Sequence, residues 1–112
     1  MVQVTVCLAA TVGGTNQLVE ALLPLMHRAA QSAGCSGAHV CADVGDTGVL
    51  WYYEEWQDTC ALEARVRSEQ FSRLLALMET SARPPVLEFR TIEHSCGLEY
   101  VAAVREADLW DE

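Results

Sequence analysis

The chain has 112 residues, 51% of them hydrophobic, so a single domain with a true core is expected. Its 16 acidic and 7 basic side chains leave a net charge of −9. This charge repels phosphate backbones and anionic lipid headgroups, so nucleic-acid and membrane binding are excluded as expected functions. No apolar run reaches the roughly 18 residues of a bilayer span. The N-terminus lacks a basic signal-peptide region, so we expect a cytoplasmic protein.

Alternate aliphatic residues over 2–10 predict a first strand with one buried face. A glycine-containing loop follows, and Thr15 or Asn16 is a suitable N-cap for the next helix. Leucines at helical spacing carry this helix to about Ala33. Gly34 stands where a glycine commonly ends a helix.

Residues 36–44 and 49–57 predict a hairpin with its turn at 45–48. The strand 49–57 is rich in large side chains, and its alternation places them on both faces. On one face lie Trp51 and Tyr53, and on the other Leu50, Tyr52 and Trp56. Neither face of this strand is therefore suited to water.

A second helical region starts at Asp58 or Thr59, and Ser68 is a cap for its continuation. An apolar stripe of helical period follows Ser68, and two prolines end the helix. Residues 86–94 predict the fourth strand. The tail, 97–112, fits either a helix or a fifth extended segment.

The order β-α-β-β-α-β over residues 1–112 predicts an α+β, ferredoxin-like domain. Right-handed crossovers place both main helices on one side of the sheet. The other sheet face is also apolar, yet the chain has no further element to cover it. A second copy packed sheet to sheet about a two-fold axis is the simplest cover, so we expect a homodimer.

The segment 52–71 resembles the antibiotic biosynthesis monooxygenase family and its quinol-monooxygenase-like relatives. The family pattern is approximately E-x-W-x-[DS]-x-x-[AL]-x-x-x-H-x-x-S-x-x-F. The residues that match it in register are Glu54, Trp56, Asp58, Ala61, Ser68 and Phe71. The family histidine is replaced by Arg65, which cannot accept a proton near neutral pH but can bind an anionic oxygen or pair with Glu54.

The resemblance implies a dimeric α+β barrel that oxidises a quinol or polycyclic phenol without metal or flavin. The implied pocket for a small aromatic substrate takes Tyr52, Trp56, Arg65 and Phe71 as binding residues. Arg65, Trp56 and His39 are the catalytic candidates. The loss of the histidine keeps an alternative open: a non-catalytic, small-molecule-binding or stress-related dimer of the same fold.

Each of these residues also has a purely structural interpretation. Trp56 suits a core position, Arg65 a salt bridge, and the tyrosines packing against core or interface. A metal site from His39, Cys41 and His94 is not expected, because ferredoxin-like strand order separates the second and fourth strands. The five cysteines lack CxxC spacing, so we expect free thiols and neither a disulfide framework nor a structural zinc site. The absence of a cofactor is implied by the family resemblance.

Overall fold

The computed structural model describes residues 1–110, with side chains described as far as residue 106. Four strands and four helices follow one another along these described residues. They are β1 (Val2–Ala9), α1 (Thr15–Ala30), β2 (Cys35–Ala42), β3 (Val49–Trp56), α2 (Thr59–Val66), α3 (Glu69–Glu79), β4 (Val86–Thr91) and α4 (Leu98–Trp110). The ferredoxin-like α+β prediction is confirmed, with the second helical region split into α2 and α3.

The sheet is antiparallel with the order β2-β3-β1-β4. The central pair β1 and β3 is in register from Val2 opposite Trp56 to Ala9 opposite Val49. This order keeps β2 and β4 at opposite edges, as the sequence predicted. In the part of the chain that the structure describes, no group of three or more His, Cys, Asp or Glu side chains could hold a metal ion.

Helices α1, α2 and α3 cover one face of the sheet, and the core lies beneath them. Alternate residues of β1 and β3, including Val4, Val6 and Tyr52, pack there against Leu22 of α1 and Leu74 of α3. The opposite face carries Trp51 and Tyr53, whose rings stack at 6.4 Å. Tyr53 is 36% exposed, so the two-faced pattern of β3 is confirmed.

Two helix boundaries differ from the sequence prediction. Helix α1 starts without a side-chain cap, since Gly14 takes the N-cap position. It ends at Ala30, before the predicted Ala33. Just beyond this end, the Ser32 hydroxyl donates a hydrogen bond to the Arg28 carbonyl oxygen. Asp58 and Ser68 do cap α2 and α3, each accepting a backbone N–H with its side chain.

Gly34 lies in the turn that follows α1, and its backbone has φ +83°. A Cβ atom here would stand 2.5 Å from the Cβ of Ala61 in α2. Both facts require glycine, because other residues rarely adopt this conformation and none would fit. The glycine thereby lets the turn pack directly on α2, beside the candidate site.

The tail forms a helix, α4, which settles the choice between helix and extended segment for its described part; residues 111–112 lie outside the described residues. All described side chains of α4 are exposed. Among the described residues, no helix is long and apolar enough to span a bilayer.

Candidate functional site

A buried ion pair lies between β3 and α2. The Nη2 atom of Arg65 stands 2.7 Å from Oε2 of Glu54, and the two side chains are 4% and 0% exposed. Arg65 Nε also lies 3.2 Å from both carboxylate oxygens. The guanidinium therefore donates hydrogen bonds to the carboxylate from two nitrogens. Such bidentate, charge-assisted hydrogen bonds are the strongest that an arginine and a carboxylate form.

Two further donors complete the surroundings of the Glu54 carboxylate. The Tyr52 hydroxyl donates to Oε2 at 2.5 Å, and the Trp56 indole N–H donates to Oε1 at 3.0 Å. Residues 52, 54 and 56 share one face of β3 because side chains alternate along a strand. The same alternation that buries these residues also brings their polar atoms together.

Burial and charge shift the pKa values of this cluster. Burial, followed by the negative charge of Glu54, raises the pKa of Tyr52 far above its usual range. Burial alone would lower the pKa of Arg65, but the hydrogen bond and charge of Glu54 outweigh it and raise that pKa. Tyr52 is thus a neutral donor and Arg65 a permanent cation at every physiological pH.

A cleft of about 290 Å³ adjoins the ion pair. Its walls come from the turn after α1, the end of β3, α2 and the start of α3. The lining residues are Ser32, Ala33, Trp56, Ala61, Ala64, Arg65, Ser68 and Gln70. The sequence patterns had not indicated the contribution of Ser32, Ala33 or Gln70.

One nitrogen of Arg65 remains available to the cleft. Its Nε and Nη2 atoms bond to Glu54 and Tyr52, whereas Nη1 has no hydrogen-bond partner among the described residues. No buried nitrogen or oxygen of a described side chain lacks a partner, so Nη1 must touch solvent. Since Arg65 lines the cleft, its guanidinium is a candidate donor to an oxygen ligand there.

The structure brings together three of the predicted site residues: Tyr52, Trp56 and Arg65. Phe71 is buried in α3 with its ring 6.4 Å from that of Phe89, so it belongs to the core near the cleft and does not line it. His39 pairs with Tyr53 across β2 and β3 and is exposed on the opposite sheet face. The sheet therefore separates His39 from Arg65.

Sequence reasoning considered a pairing of Arg65 with Glu54, which the structure contains, but it overlooked the central position of the Glu54 carboxylate. The carboxylate accepts hydrogen bonds from Tyr52, Trp56 and Arg65, which come from two elements. The signal was the spacing Tyr-x-Glu-x-Trp, which places three polar groups on the buried face of one strand. A buried carboxylate at such a position requires several donors.

Comparisons with known proteins identify the family and the fold. The family model described as "Antibiotic biosynthesis monooxygenase" matches residues 1–77. No curated protein matches the chain. Among solved structures, a candidate antibiotic biosynthesis monooxygenase from Deinococcus radiodurans superposes with a TM-score of 0.78 at 15% identity, covering 88% of this chain and 98% of that one.

Two more solved structures have the same fold. Rv0793 from Mycobacterium tuberculosis has a TM-score of 0.73 at 15% identity and covers 86% of this chain and 98% of its own. A conserved protein from Methanosarcina mazei Go1 has a TM-score of 0.72 at 17% identity, with coverages of 82% and 92%. At such low sequence identity, these superpositions show a shared fold and nothing more. The family model, by contrast, matches more than half of the sequence. The chain belongs to the antibiotic biosynthesis monooxygenase family.

Proposed function

We propose that the protein is a monooxygenase that oxidises a quinol or phenol in the cleft beside Arg65, without metal or flavin. In the overall reaction, a phenol with a free ring C–H reacts with dioxygen to give a quinone and water. The substrate supplies all four electrons, so the balance needs no other reductant. The single observation that carries the proposal is the buried Arg65 cation, held by Glu54, among the lining residues of a cleft in a monooxygenase-family fold.

The Arg65 cation favours ionisation of a phenol bound next to it. A positive charge within hydrogen-bond distance lowers the pKa of an acidic group, and a phenolate is the electron-rich form that reacts with dioxygen. Glu54 holds the guanidinium in place through two nitrogens. Arg65 thus contacts the substrate oxygen, and Glu54 positions Arg65.

Glu54 does not serve as the general base in this scheme. Its side chain is 0% exposed, and its oxygens accept hydrogen bonds from Tyr52, Trp56 and Arg65. The phenol proton is therefore released to water in the open cleft. The cleft, about 290 Å³, is at the lower end of the roughly 300–1,000 Å³ of small-molecule sites, which favours a quinol of few rings.

The proposal includes a homodimer through the uncovered sheet face. The stacked Trp51 and Tyr53 rings form an aromatic patch on this face, and no element of the described chain covers it. Packing a second sheet on this surface removes it from water. His39 then lies at the interface, and the cleft beside Arg65 stays accessible on the other side of the sheet.

A second candidate function is a small-molecule-binding dimer that does no chemistry. It is favoured by the ion pair itself, because the position of the family histidine is held by an arginine that cannot accept a proton. In this case the cleft binds a phenol or quinone without converting it.

Oxygen uptake with a panel of hydroquinones and naphthols separates the two candidates. We expect uptake by the natural protein, a loss of at least about tenfold in Arg65→Lys because a lysine lacks the second nitrogen, and no change in Arg67→Lys. Circular dichroism shows whether each variant is folded. Ligand-dependent thermal stabilisation without uptake assigns the binding function, and the absence of both rejects the cleft as the site.

A further inference from the structure

The cleft beside Arg65 is continued by a second hollow, a groove between α1 and α3. The groove has a volume of about 550 Å³, and Gln70 lines both the groove and the cleft. On the α1 side, Arg28 of the groove precedes Ser32 of the cleft by about one helical turn, and the two are joined by the hydrogen bond from the Ser32 hydroxyl. A ligand bound at Arg65 can therefore extend past Gln70 into the groove.

The walls of these two hollows are basic, although the chain is acidic. The whole chain has only seven basic side chains and a net charge of −9. Three of the seven, Arg28, Arg65 and Arg73, line the cleft or the groove, whereas no Asp or Glu is among the described residues that line them. A hollow lined by charges of one sign attracts ligands of the opposite sign. These walls therefore favour an anionic ligand.

The two arginines of the groove have few partners within the chain. Arg28 forms no ion pair with the described residues. Arg73 has one contact of 3.6 Å with Glu69, in which both side chains are more than half exposed, and such a contact is weak. Both guanidinium groups are therefore available to an anion. Arginine recognises a carboxylate particularly well because its planar fork donates two parallel hydrogen bonds.

The rest of the groove wall is largely apolar. Its apolar lining residues are Ala21, Pro24 and Leu25 from α1 and Ala76 and Leu77 from α3. Apolar walls with a few polar groups are typical of small-molecule sites. The groove therefore suits an apolar chain that carries an anionic group. The cleft, at about 290 Å³, remains for the ring that reacts.

We propose that the substrate is a phenol or quinol with an apolar side chain that ends in a carboxylate. The position of its ring rests on the proposed oxidation in the cleft. The phenol oxygen contacts Arg65, the side chain passes Gln70 and lies on the apolar wall of the groove, and Arg28 and Arg73 bind the carboxylate. The side chain takes no part in the reaction, so its contribution is to binding and specificity.

Binding measured without dioxygen tests the side chain separately from the oxidation. The probes are naphthohydroquinones with carboxyalkyl chains of increasing length, each compared with its methyl ester, which has the same chain without the charge. Equilibrium dialysis under nitrogen gives the dissociation constant of every probe.

The double variant Arg28→Gln/Arg73→Gln removes both cations of the groove. Its matched control is Arg67→Gln/Arg105→Gln, which removes the same charge from two exposed positions that line neither hollow. Both variants therefore have the same net charge, so a general change in the field of the protein affects them alike. Circular dichroism shows whether each variant is folded.

We expect the natural protein to bind the best carboxylic acid at least about tenfold more tightly than its ester, because a hydrogen bond to a charged group is lost in the ester. This preference should disappear in the groove variant and persist in the control. Equal affinity for acid and ester in the natural protein overturns the proposal, as does a failure to bind either. A preference that survives in the groove variant also overturns it, since the carboxylate would then bind elsewhere.

Oxygen uptake with the unsubstituted naphthohydroquinone distinguishes this proposal from the proposed function. Uptake combined with equal binding of acid and ester rejects the carboxylate side chain and leaves the oxidation in the cleft intact. Selective binding of the acid without uptake on any probe rejects the oxidation and supports the groove as the binding site of an anionic side chain.

Discussion

Arg65 and Glu54 form a buried ion pair, with Nη2 and Oε2 2.7 Å apart. Such a pair costs desolvation energy, and its loss leaves a charge buried without compensation. We expect Arg65→Met to lower the free energy of unfolding by about 3–5 kcal/mol for this reason. Urea unfolding followed by circular dichroism measures the change.

The exposed pair between Arg67 and Glu63 is the matched control for that measurement. Its atoms are 3.5 Å apart and both side chains are more than half exposed. Arg67→Met should therefore cost less than about 1 kcal/mol. Equal effects of the two substitutions would contradict the assignment of Arg65 as a buried structural and functional cation. Adding Glu54→Gln to Arg65→Met should recover part of the loss.

Stability should fall at alkaline pH because of Tyr52. Burial and the Glu54 charge raise the pKa of this phenol in the folded protein, whereas the unfolded chain ionises it near 10.0. The unfolded state then loses a proton that the folded state keeps, so the stabilisation is complete below pH 10.0 and declines as pH rises further. The urea concentration at the midpoint of unfolding, measured from neutral to strongly alkaline pH, should decrease in the same way.

Tyr52→Phe should flatten the alkaline part of that profile. At neutral pH it should cost about 1–3 kcal/mol, because the Glu54 carboxylate loses a hydrogen-bond donor. Tyr100→Phe, at an exposed position of α4, is the control and should leave both quantities unchanged. A natural protein whose midpoint stays level above pH 10.0 would argue against a buried, neutral Tyr52.

Gly34 and Ala61 should behave as a coupled pair. Gly34→Ala forces an unfavourable φ and a Cβ contact of 2.5 Å, so we expect a loss of about 1–3 kcal/mol. Ala61→Gly should cost about 1 kcal/mol by itself, as glycine does in a helix. The double variant should lose less than the sum of both, because the second change removes the clash. Strictly additive losses would mean that the turn does not pack on α2.

Thiol labelling should report on the sheet face. Cys41 and Cys60 are both exposed in the single chain, but Cys41 lies on the uncovered face of β2 and Cys60 on α2. If two copies pack through this face, Cys41 should react several-fold more slowly than Cys60 with a small alkylating reagent at micromolar protein concentration. Cys7 should react slowly in either case, because burial and Asp43 raise the pKa of its thiol. Equal rates at Cys41 and Cys60 would count against the sheet-to-sheet dimer.

Much of the fold could be predicted from periodicity. The two-residue alternation of β1 and β3 identified the buried face, and Asp58 and Ser68 marked the starts of two helices through a local side-chain preference. The end of α1 could not be predicted in this way. It depends on the hydrogen bond from the Ser32 hydroxyl to the Arg28 carbonyl. It also depends on the contact between Gly34 and Ala61, two residues that are far apart in sequence.

The candidate site was less predictable than the fold. The alternation of β3 places Tyr52, Glu54 and Trp56 on one face, but it does not say that their polar atoms converge on one carboxylate. That convergence also involves Arg65, a residue of α2 whose guanidinium donates to the Glu54 carboxylate of β3. Gln70 and Ser32 reach the cleft through tertiary packing and carry no sequence signal of their own.

The alternation along β3 divides one strand into two independent sets of positions. Residues 50, 52, 54 and 56 are buried under the helices, whereas 51, 53 and 55 face away from them. A combinatorial library restricted to 51, 53 and 55 should therefore yield folded proteins that differ in self-association. The same diversity placed at 50, 52, 54 and 56 should yield mostly unfolded ones. The outer surface of this domain can therefore be redesigned on a single strand without rebuilding its interior.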